Sequence, residues 1–360
     1  MRIGIFDPYL DTLGGGEKYM LTAASYLSED NVVDVFWDSD GEIFKKAGSR
    51  FGIDLSRVKL SKNIFSKKVS FFSRIAASKK YDIIFFLSDG SIPVIFPKKV
   101  IVHFQFPVEW VDGKSVSTKI KLAFVSKIIC NSKFTKKFID RSFGKVSVVL
   151  YPACDIETKN SKLKSEHKEN LILTVGRFGK IPEGESFKKQ DFMINVFKKM
   201  MDKGLAGWEF ILVISYREED MEDVIKLERS IKGYPIKILK NLDRNEISKI
   251  YQKAKIYWHA AGFGEDLKKH PERAEHFGIS TVEAMGAGAA PVVINSGGQK
   301  EIVVDGKSGF LWNTKEELME KTDLLIKKSD LLEKISSQAI QRAVLFNKDR
   351  FCRELREIIS

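Results

Sequence analysis

The sequence predicts an α/β protein of two domains, each built on a doubly wound parallel sheet. Short apolar runs rich in Val, Ile and Phe recur in both halves of the chain, and segments of helical period separate them, which is the pattern of βαβ units. A polar, charged stretch without periodicity divides the halves. A chain of 360 residues suits two domains of typical size, each with its own core.

Six strands are predicted in the first domain, which we expect to span residues 1–160. They are RIGIF (2–6), VVDVFW (32–37), YDIIFFLS (81–88), KVIVHF (99–104), KIICN (127–131) and VSVVLY (146–151). The stretch ETKNSKLKSEHKEN that follows is rich in polar and charged residues, and it is interpreted as the linker between the domains.

Six more strands are predicted in the second domain, expected at residues 168–340. They are LILTVGRF (171–178), WEFILVIS (208–215), IKILKN (236–241), IYWHAA (256–261), APVVIN (290–295) and GFLW (309–312). In doubly wound sheets, ligands bind beyond the carboxyl ends of the strands, where the strand order reverses. Candidate site residues are therefore sought directly after each strand.

Charge and composition exclude several classes of function. Lys and Arg outnumber Asp and Glu by 60 to 48, and this excess favours acidic partners such as nucleic acid, anionic lipid or a phosphorylated substrate. Neither a zinc-finger spacing nor the signature of an RNA-recognition sheet occurs, so no nucleic-acid partner is predicted. The N-terminus lacks a secretory signal and no apolar run suits a spanning helix, so a cytoplasmic location is expected.

The densest signal for chemistry is EHFGISTVEAMGAGAAPVVINSGGQKEIVVDGKSGFLW, from Glu275 to Trp312. A helix that begins near Ser280 would direct backbone N–H groups and a partial positive charge at the preceding loop, which suits a diphosphate. Ser280 and Glu283 also have the spacing of a capping box, so helix capping is an alternative role for Glu283. Capping leaves Glu275 without an explanation.

The pattern E-x-F-G-x-x-x-x-E-A-M-x-x-G-x-x-P-V, followed by S-G-G and D-G-x-x-G-F-L, resembles the donor-site signature of retaining GT-B glycosyltransferases of family 4, the glycosyl transferases group 1. The resemblance implies two facing Rossmann-like domains with a cleft between them. It also implies a crossover helix, at about 341–360, that packs on the first domain. Residues 276–300 and the HFQFP segment are most similar to mannosyltransferases of lipid-linked oligosaccharide assembly.

The resemblance assigns roles to the residues of this signature. Glu283 would bind the ribose hydroxyls of the nucleotide, and Glu275 would contact the donor sugar near the reacting carbon. Both roles use a carboxylate as a hydrogen-bond acceptor. The sugar and the diphosphate would be held by backbone amides of the intervening loop, those of His276, Phe277, Gly278 and Ile279.

Upstream, TVGRFGKIPEGESFKKQD resembles the family's strand, its Gly-Arg pair and a loop that ends in a lysine. Arg177 and a lysine, assigned as Lys189, would clamp the diphosphate and stabilise its growing charge as the sugar bond breaks. The insert IPEGESF departs from the family pattern, so Lys188 and Lys180 remain alternatives for the second cation.

Two features of the first domain match the family as well. The run Gly-Gly-Gly-Glu at 14–17 resembles a G-G-x-E loop, which implies that Gly15 and Gly16 approach the donor closely. His103 matches a histidine that contacts the donor sugar in the family. The alternative for His103 is a satisfied histidine in the core.

Asp38-Ser39-Asp40 has the D-x-D pattern of a metal site. In a doubly wound domain these acids are expected to cap the loop and the next helix, and Arg177 with a lysine would supply the charge of a metal. No metal and no cofactor is therefore predicted, apart from the nucleoside diphosphate sugar that serves as donor substrate.

Residues 61–80 interleave phenylalanines with five lysines and an arginine. This composition predicts a basic amphipathic surface helix that binds anionic lipid, which would place the protein peripherally on the cytoplasmic face of a membrane. The alternative is a helix that packs its apolar face on the sheet.

Together these features predict a retaining hexosyltransferase that uses a nucleoside diphosphate sugar and a glycan acceptor, either free or lipid-linked. The subgroup resemblance favours mannose from GDP-mannose. The alternatives are a UDP-sugar-dependent transferase for polysaccharide or glycolipid, and a non-catalytic partner subunit that binds a nucleotide sugar. Retention would proceed by same-face attack or through a covalent intermediate, and the lack of a clear nucleophile in the sequence favours same-face attack.

Overall fold

A computed structural model of the chain describes residues 1–38, 41–156, 168–180 and 186–360. The chain divides into two compact units, Met1–Ala153 with Lys348–Ser360, and Cys154–Asn347. Most of the predicted linker and most of the IPEGESF insert lie outside the described residues.

The first unit contains a parallel sheet whose strands are β1 (Arg2–Phe6), β2 (Val32–Phe36), β3 (Val58–Ser61), β4 (Ile83–Leu87), β5 (Lys99–Phe104), β6 (Lys127–Cys130) and β7 (Val148–Val149). Their order is β3-β2-β1-β4-β5-β6-β7, so the direction of winding reverses between β1 and β4. The six predicted strands are confirmed. The edge strand β3 was not predicted, because a four-residue run interrupted by a lysine gives little signal.

Helices cover both faces of this sheet. They are α1 (Gly15–Leu27), α2 (Glu42–Phe51), α3 (Phe71–Ser78), α4 (Val116–Leu122) and α5 (Lys133–Phe143). Alternation along β1 sends Ile3 and Ile5 into the core that α1 and α2 share, and Phe6 into the core that α3, α4 and α5 share. Ser70, Ser115 and Ser132 begin α3, α4 and α5 by accepting a hydrogen bond from the amide three residues later.

The second unit repeats the architecture. Its strands are β8 (Glu169–Arg177), β9 (Glu209–Ser215), β10 (Ile236–Lys240), β11 (Ala254–His259), β12 (Ala290–Ile294) and β13 (Phe310–Trp312), in the order β10-β9-β8-β11-β12-β13. Its helices are α6 (Gln190–Asp202), α7 (Met221–Ser230), α8 (Arg244–Lys253), α9 (Ile279–Gly286), α10 (Gln299–Ile302), α11 (Lys315–Lys327) and α12 (Ser329–Ala343). All six predicted strands are confirmed, and the winding reverses between β8 and β11.

The last helix, α13 (Lys348–Ile359), belongs to the first unit. Phe351 lies fully buried in the core of that unit, with its ring 5.0 Å from the ring of Tyr19. Lys127 donates to the carbonyl of Ile358 at 2.7 Å, which satisfies a carbonyl at the end of the helix. The chain therefore returns to its first sheet after it has completed the second.

The prediction of one amphipathic helix over 61–80 is wrong. The helix α3 covers only Phe71–Ser78, and the five lysines of the segment lie outside it. Phe65 packs in the core, with its ring 4.4 Å from that of Phe6. Asp38 accepts a hydrogen bond from the amide of Asn63 at 2.8 Å, whereas Ser39 and Asp40 lie outside the described residues. Among the residues described, no helix has the length and apolar character needed to cross a bilayer.

Candidate functional site

The carboxyl ends of β8 and β11 form the switch point of the second sheet, because the strand order reverses between them. Arg177 ends β8 and His259 ends β11. The loop after β8 leads to α6, and the loop after β11 leads through Glu275 to α9. The topology thus gathers most residues of the two predicted motifs at one edge of the second unit.

Glu275 is the centre of a charge cluster at this edge. Its Oε2 accepts a hydrogen bond from Lys188 Nζ at 2.7 Å and lies 2.7 Å from Nε2 of His259. A carboxylate only accepts, so Nε2 carries the proton in this contact. Burial raises the pKa of Glu275, but the Lys188 ammonium and the His259 hydrogen bond outweigh burial and hold that pKa well below its usual range. Glu275 is therefore an anion at neutral pH.

His259 was not singled out from the sequence. Its side chain is 4% exposed, and its Nδ1 is buried without a hydrogen-bond partner among the residues described. The available signal was its position as the last residue of a buried strand beside the switch point. His259 orients the Glu275 carboxylate from the sheet side, whereas Lys188 holds it from the loop.

Lys189, assigned from the sequence as the second cation of the loop, lies in a buried ion pair. Lys189 lies at φ 56° directly before α6 and is only 3% exposed. Its Nζ donates to Glu265 Oε1 at 2.6 Å, and Arg273 donates to the other oxygen of Glu265 at 2.9 Å. The Lys189 ammonium is thus buried and committed to a carboxylate, whereas Lys188 is the lysine beside Glu275. Lys180, the other alternative, pairs with Asp223 of α7 at 2.8 Å.

Arg177 keeps an exposed side chain at the end of β8. Its carbonyl accepts a hydrogen bond from Gln190 Nε2 at 3.2 Å, which ties the strand to the start of α6. In the part of the chain that the structure describes, its guanidinium has no ion-pair partner. The charge of this guanidinium remains available to a ligand at the switch point.

The loop before α9 lies against a glycine turn that follows β12. The amide of Gly298 donates to the carbonyl of Glu275 at 2.7 Å. A Cβ on Gly298 would lie 2.4 Å from Cα of Phe277, and a Cβ on Gly297 would lie 2.2 Å from the Glu275 carbonyl oxygen. The S-G-G turn therefore fixes the backbone of the glutamate loop, and side chains larger than hydrogen do not fit there.

The start of α9 is open to an anion. Gly278 precedes the helix at φ 118°, and no side chain caps the helix. The predicted helix start near Ser280 is confirmed within one residue, and the amides of His276, Phe277, Gly278 and Ile279 lie at this terminus. The positive end of the helix dipole thus faces the same loop that carries Glu275. Burial lowers the pKa of His276 to about 4, so its ring adds no charge to the loop at neutral pH.

The capping-box alternative for Glu283 is not realised. The residue before the helix is Gly278 rather than Ser280, and the Ser280 hydroxyl instead accepts a hydrogen bond from Tyr257 Oη at 2.8 Å. After burial, the charge of Glu283 is the largest cause that raises the pKa of Tyr251 well above its usual range. Glu283 thus lies inside α9 near Tyr251 of α8, and capping does not explain its presence.

The glycine run of the first unit forms a tight turn into α1. The Glu17 carboxylate accepts hydrogen bonds from the amide of Gly14 and, at 2.8 Å, from the hydroxyl of Thr12. The carbonyl of Gly16 accepts from Gln105 Nε2 at 3.0 Å, and a Cβ on Gly16 would lie 2.0 Å from the amide oxygen of Gln105. Gly16, with Gly15 before it, thus lies at the carboxyl edge of the first sheet, against the residue that follows β5.

His103 lies inside β5, one residue before its end, and is fully buried. Its ring stacks on Tyr19 at 4.2 Å, and its Nδ1 lies 3.2 Å from the carbonyl oxygen of Ile129. Burial lowers the pKa of His103 to about 3, so the ring is neutral. These contacts are those of a core histidine, although Nε2 is buried without a hydrogen-bond partner among the residues described.

Asp7, directly after β1, was also missed from the sequence. It lies at the switch point of the first sheet and is 1% exposed, and its Oδ1 accepts from the amide of Tyr9 at 2.9 Å. Burial and the charge of Glu17 raise the pKa of Asp7 to about 8. The sequence feature that could have identified Asp7 is its position directly after a buried strand.

Replacement of Asp7 by asparagine is expected to stabilise the protein, and the gain should grow with pH. The native pKa of about 8 lies above the ordinary value, so wild-type stability falls as pH rises from about 4 to about 8. Asparagine does not titrate, so the advantage of the variant in free energy of unfolding should increase by up to about 4 kcal/mol between pH 5 and pH 8. Calorimetry at both pH values measures this difference, and an equal advantage at both would contradict a raised pKa.

A family profile described as Glycosyl transferases group 1 matches residues 155–342. A relative from Dictyostelium discoideum, named GDP-Man:Man(3)GlcNAc(2)-PP-Dol alpha-1,2-mannosyltransferase, is 23% identical over 441 residues, which cover 100% of this chain and 84% of the relative. The Xenopus laevis protein of the same name is 31% identical over 177 residues, or 45% of this chain and 33% of that protein.

The fold is shared with solved structures. The crystal structure of Anabaena HepE in complex with UDP superposes with a TM-score of 0.74 at 20% identity, and the match covers 100% of this chain and 99% of that one. At this level of identity the structural similarity establishes the fold and does not identify the donor or the acceptor.

Proposed function

We propose that this chain, which belongs to the glycosyl transferases group 1 family and is a GT-B hexosyltransferase, transfers a hexose with retention. The donor in this proposal is a nucleoside diphosphate sugar, and the acceptor is a lipid-linked glycan. The observation that carries the proposal is the charge cluster of Glu275. It combines an anionic carboxylate, a lysine and an open helix terminus at the switch point of one sheet. A nucleoside diphosphate sugar has the matching groups, namely hydroxyls for the carboxylate and a diphosphate for the cations.

The second unit binds the donor in this proposal. Glu283 accepts hydrogen bonds from the ribose hydroxyls, and the amides at 276–279 together with the dipole of α9 hold the diphosphate. Arg177 and Lys188 are the cations that stabilise the leaving diphosphate as its charge grows. These two residues supply the positive charge for which other transferases use a metal ion, so no metal is required.

Glu275 binds hydroxyls of the donor sugar. Its oxygens remain hydrogen-bond acceptors at neutral pH, because Lys188 and His259 keep the carboxylate ionised. The same two contacts fix its orientation within the loop, so it is positioned before the sugar arrives. Gly15, Gly16 and His103 belong to the first unit, which is proposed as the acceptor side, and their contact with the donor sugar stays a prediction from the family resemblance.

Retention follows from attack on the face that the diphosphate leaves. The acceptor hydroxyl oxygen forms the new bond to the anomeric carbon as the bond to the phosphate oxygen breaks, and the hydroxyl proton passes to that phosphate oxygen. The alternative, a covalent intermediate on Glu275, is disfavoured because Lys188 and His259 both engage one of its oxygens and thereby lower its nucleophilicity.

GDP-mannose is the proposed donor, and mannose is the sugar transferred. The proposed acceptor is a membrane-borne glycan at the cytoplasmic face. The support is the name shared by the two relatives, which contains both GDP-Man and PP-Dol. UDP-sugar transfer to a polysaccharide or glycolipid is the second candidate, since the similar HepE structure contains UDP.

A thermal-shift experiment tests the donor site. GDP and GDP-mannose should raise Tm by several degrees at saturating concentration, and UDP should raise it less, because a ligand that binds the native state stabilises it. The Glu283→Ala variant should lose this shift, whereas Glu320→Ala, an exposed glutamate of α11, should keep it. A larger shift with UDP and UDP-glucose would transfer the proposal to the second candidate, and no shift with any nucleotide would contradict a donor site here.

A further inference from the structure

The first unit carries an apolar surface on two neighbouring helices. On α3, Phe71 is 50% and Phe72 is 81% exposed. Along α4 and just past its end, Val116, Ile120 and Phe124 are 74%, 59% and 47% exposed, and their i, i+4, i+8 spacing forms one stripe. Large apolar side chains gathered on one face mark a site of interaction, whereas single ones do not. We call these five residues the apolar face.

The two helices lie on the same side of the sheet. Ala77 of α3 and Leu122 of α4 pack against one core cluster. The amide of Phe96, in the loop between β4 and β5, donates to the hydroxyl of Ser78 at the end of α3 at 3.0 Å. The ring of Phe96 lies 5.1 Å from that of Phe124. One residue therefore contacts the ends of both helices.

The two chain segments that carry the apolar face are basic and contain no acid. Residues 55–81 and 113–139 include no Asp or Glu. The cations of the segments 62–80 and 114–127 are Lys62, Lys67, Lys68, Arg74, Lys79, Lys80, Lys114, Lys119, Lys121 and Lys127. Elsewhere the chain mixes both signs, with 48 acids in all. An apolar face on segments that carry cations and no acids complements a surface that offers acyl chains under anionic headgroups.

We propose that the apolar face and its surrounding lysines form a docking surface for an anionic lipid bilayer. Phe72 and Ile120 enter the boundary between headgroups and acyl chains, and the lysines contact the phosphates. A second protein is disfavoured as the occupant, because protein interfaces deplete lysine whereas this surface is framed by it. In this proposal the membrane contact lies on α3 and α4, whereas the sequence assigned it to a single helix.

The position of α4 connects this surface to the proposed reaction. Thr118 and Lys121, on another side of the same helix, line a surface pocket of about 380 Å³ together with Asp89 and Trp110. Asp89 follows β4 at the switch point of the first sheet. A bilayer under the apolar face would therefore present headgroups next to this edge. This last connection rests on the proposed function, whereas membrane docking itself does not.

Vesicle co-sedimentation tests the docking surface without donor or acceptor, so its result is independent of the transferase activity. The full-length protein should sediment with vesicles of phosphatidylcholine and phosphatidylglycerol and stay in the supernatant with phosphatidylcholine alone. The double variant Phe72→Ser, Ile120→Ser should bind about tenfold more weakly, because two apolar side chains no longer enter the bilayer. The double variant Lys67→Glu, Lys119→Glu should weaken binding similarly and reduce its dependence on salt.

Val146→Ser is the matched control, since Val146 is 81% exposed between α5 and β7, outside the apolar face. It should sediment as the wild type does, and all variants should keep the Tm of the wild type because the replaced side chains are exposed. Wild-type protein that ignores anionic vesicles would overturn the proposal. Normal sedimentation of the Phe72→Ser, Ile120→Ser variant with anionic vesicles would also overturn it. The same holds if the only change in that variant is the loss of a dimer in solution.

Discussion

Glu275→Gln should lower kcat/KM for sugar transfer by about a thousandfold and leave the protein folded. Glutamine keeps the size of the side chain but removes the negative charge that Lys188 and His259 hold in place. Its amide also places donors where the carboxylate offers only acceptors, so hydroxyls of the donor sugar lose their partner. The loss should lie mainly in kcat, since the nucleotide keeps its contacts with Glu283 and the start of α9.

Glu272→Gln provides the control, because Glu272 lies three residues away and pairs at the surface with His270. It should retain activity within about twofold, as expected for a partly exposed pair. Initial rates with both variants over a range of donor concentrations separate kcat from KM. Normal transfer by Glu275→Gln would contradict the role of Glu275 at the donor sugar.

Lys188→Ala should mainly lower activity and Lys189→Ala should mainly lower stability, although the two lysines are adjacent. Loss of Lys188 should lower kcat/KM by about a hundredfold, because a cation beside the leaving diphosphate disappears. Its loss should also lower stability, because Glu275 keeps only His259 as a partner, but by less than the loss of Lys189, since Lys188 is 23% and Lys189 4% exposed. Loss of Lys189 leaves Glu265 buried with Arg273 as its remaining cation, and should destabilise the fold by about 2 kcal/mol or more.

Calorimetry and transfer assays on the same preparations distinguish the two lysines. The expected pattern is low activity with a slightly lowered Tm for Lys188→Ala, and a Tm lowered by several degrees for Lys189→Ala. Lys189→Met, which keeps the apolar stem, should recover part of the stability and none of the ion pair. The reverse pattern, a stable and inactive Lys189 variant beside an active Lys188 variant, would restore the assignment made from the sequence.

The strand pattern was predictable because its cause is local. Runs such as IIFFL and APVVI are fully buried between helices in parallel sheets, and burial on both faces demands continuous apolar sequence. The edge strand β3 escaped prediction, since an edge is half-exposed and tolerates a lysine at its centre. Helix extent over 61–80 was overestimated for a related reason. In this segment Phe65 packs in the core and Phe72 lies on the surface. Composition alone does not distinguish a buried phenylalanine from an exposed one.

The sequence by itself determined the fold class, the family, the loop that carries Glu275 and the helix that carries Glu283, because glycines at fixed positions and uninterrupted apolar runs are local requirements of the backbone. Tertiary structure decided which side chains meet. The ion pair of Lys188 with Glu275, the contact of His259 with Glu275 and the buried state of Asp7 depend on contacts between segments that are distant in sequence. Charge and hydrogen bonding act over a few ångströms in space, so they became visible only when the sheets had placed these residues together.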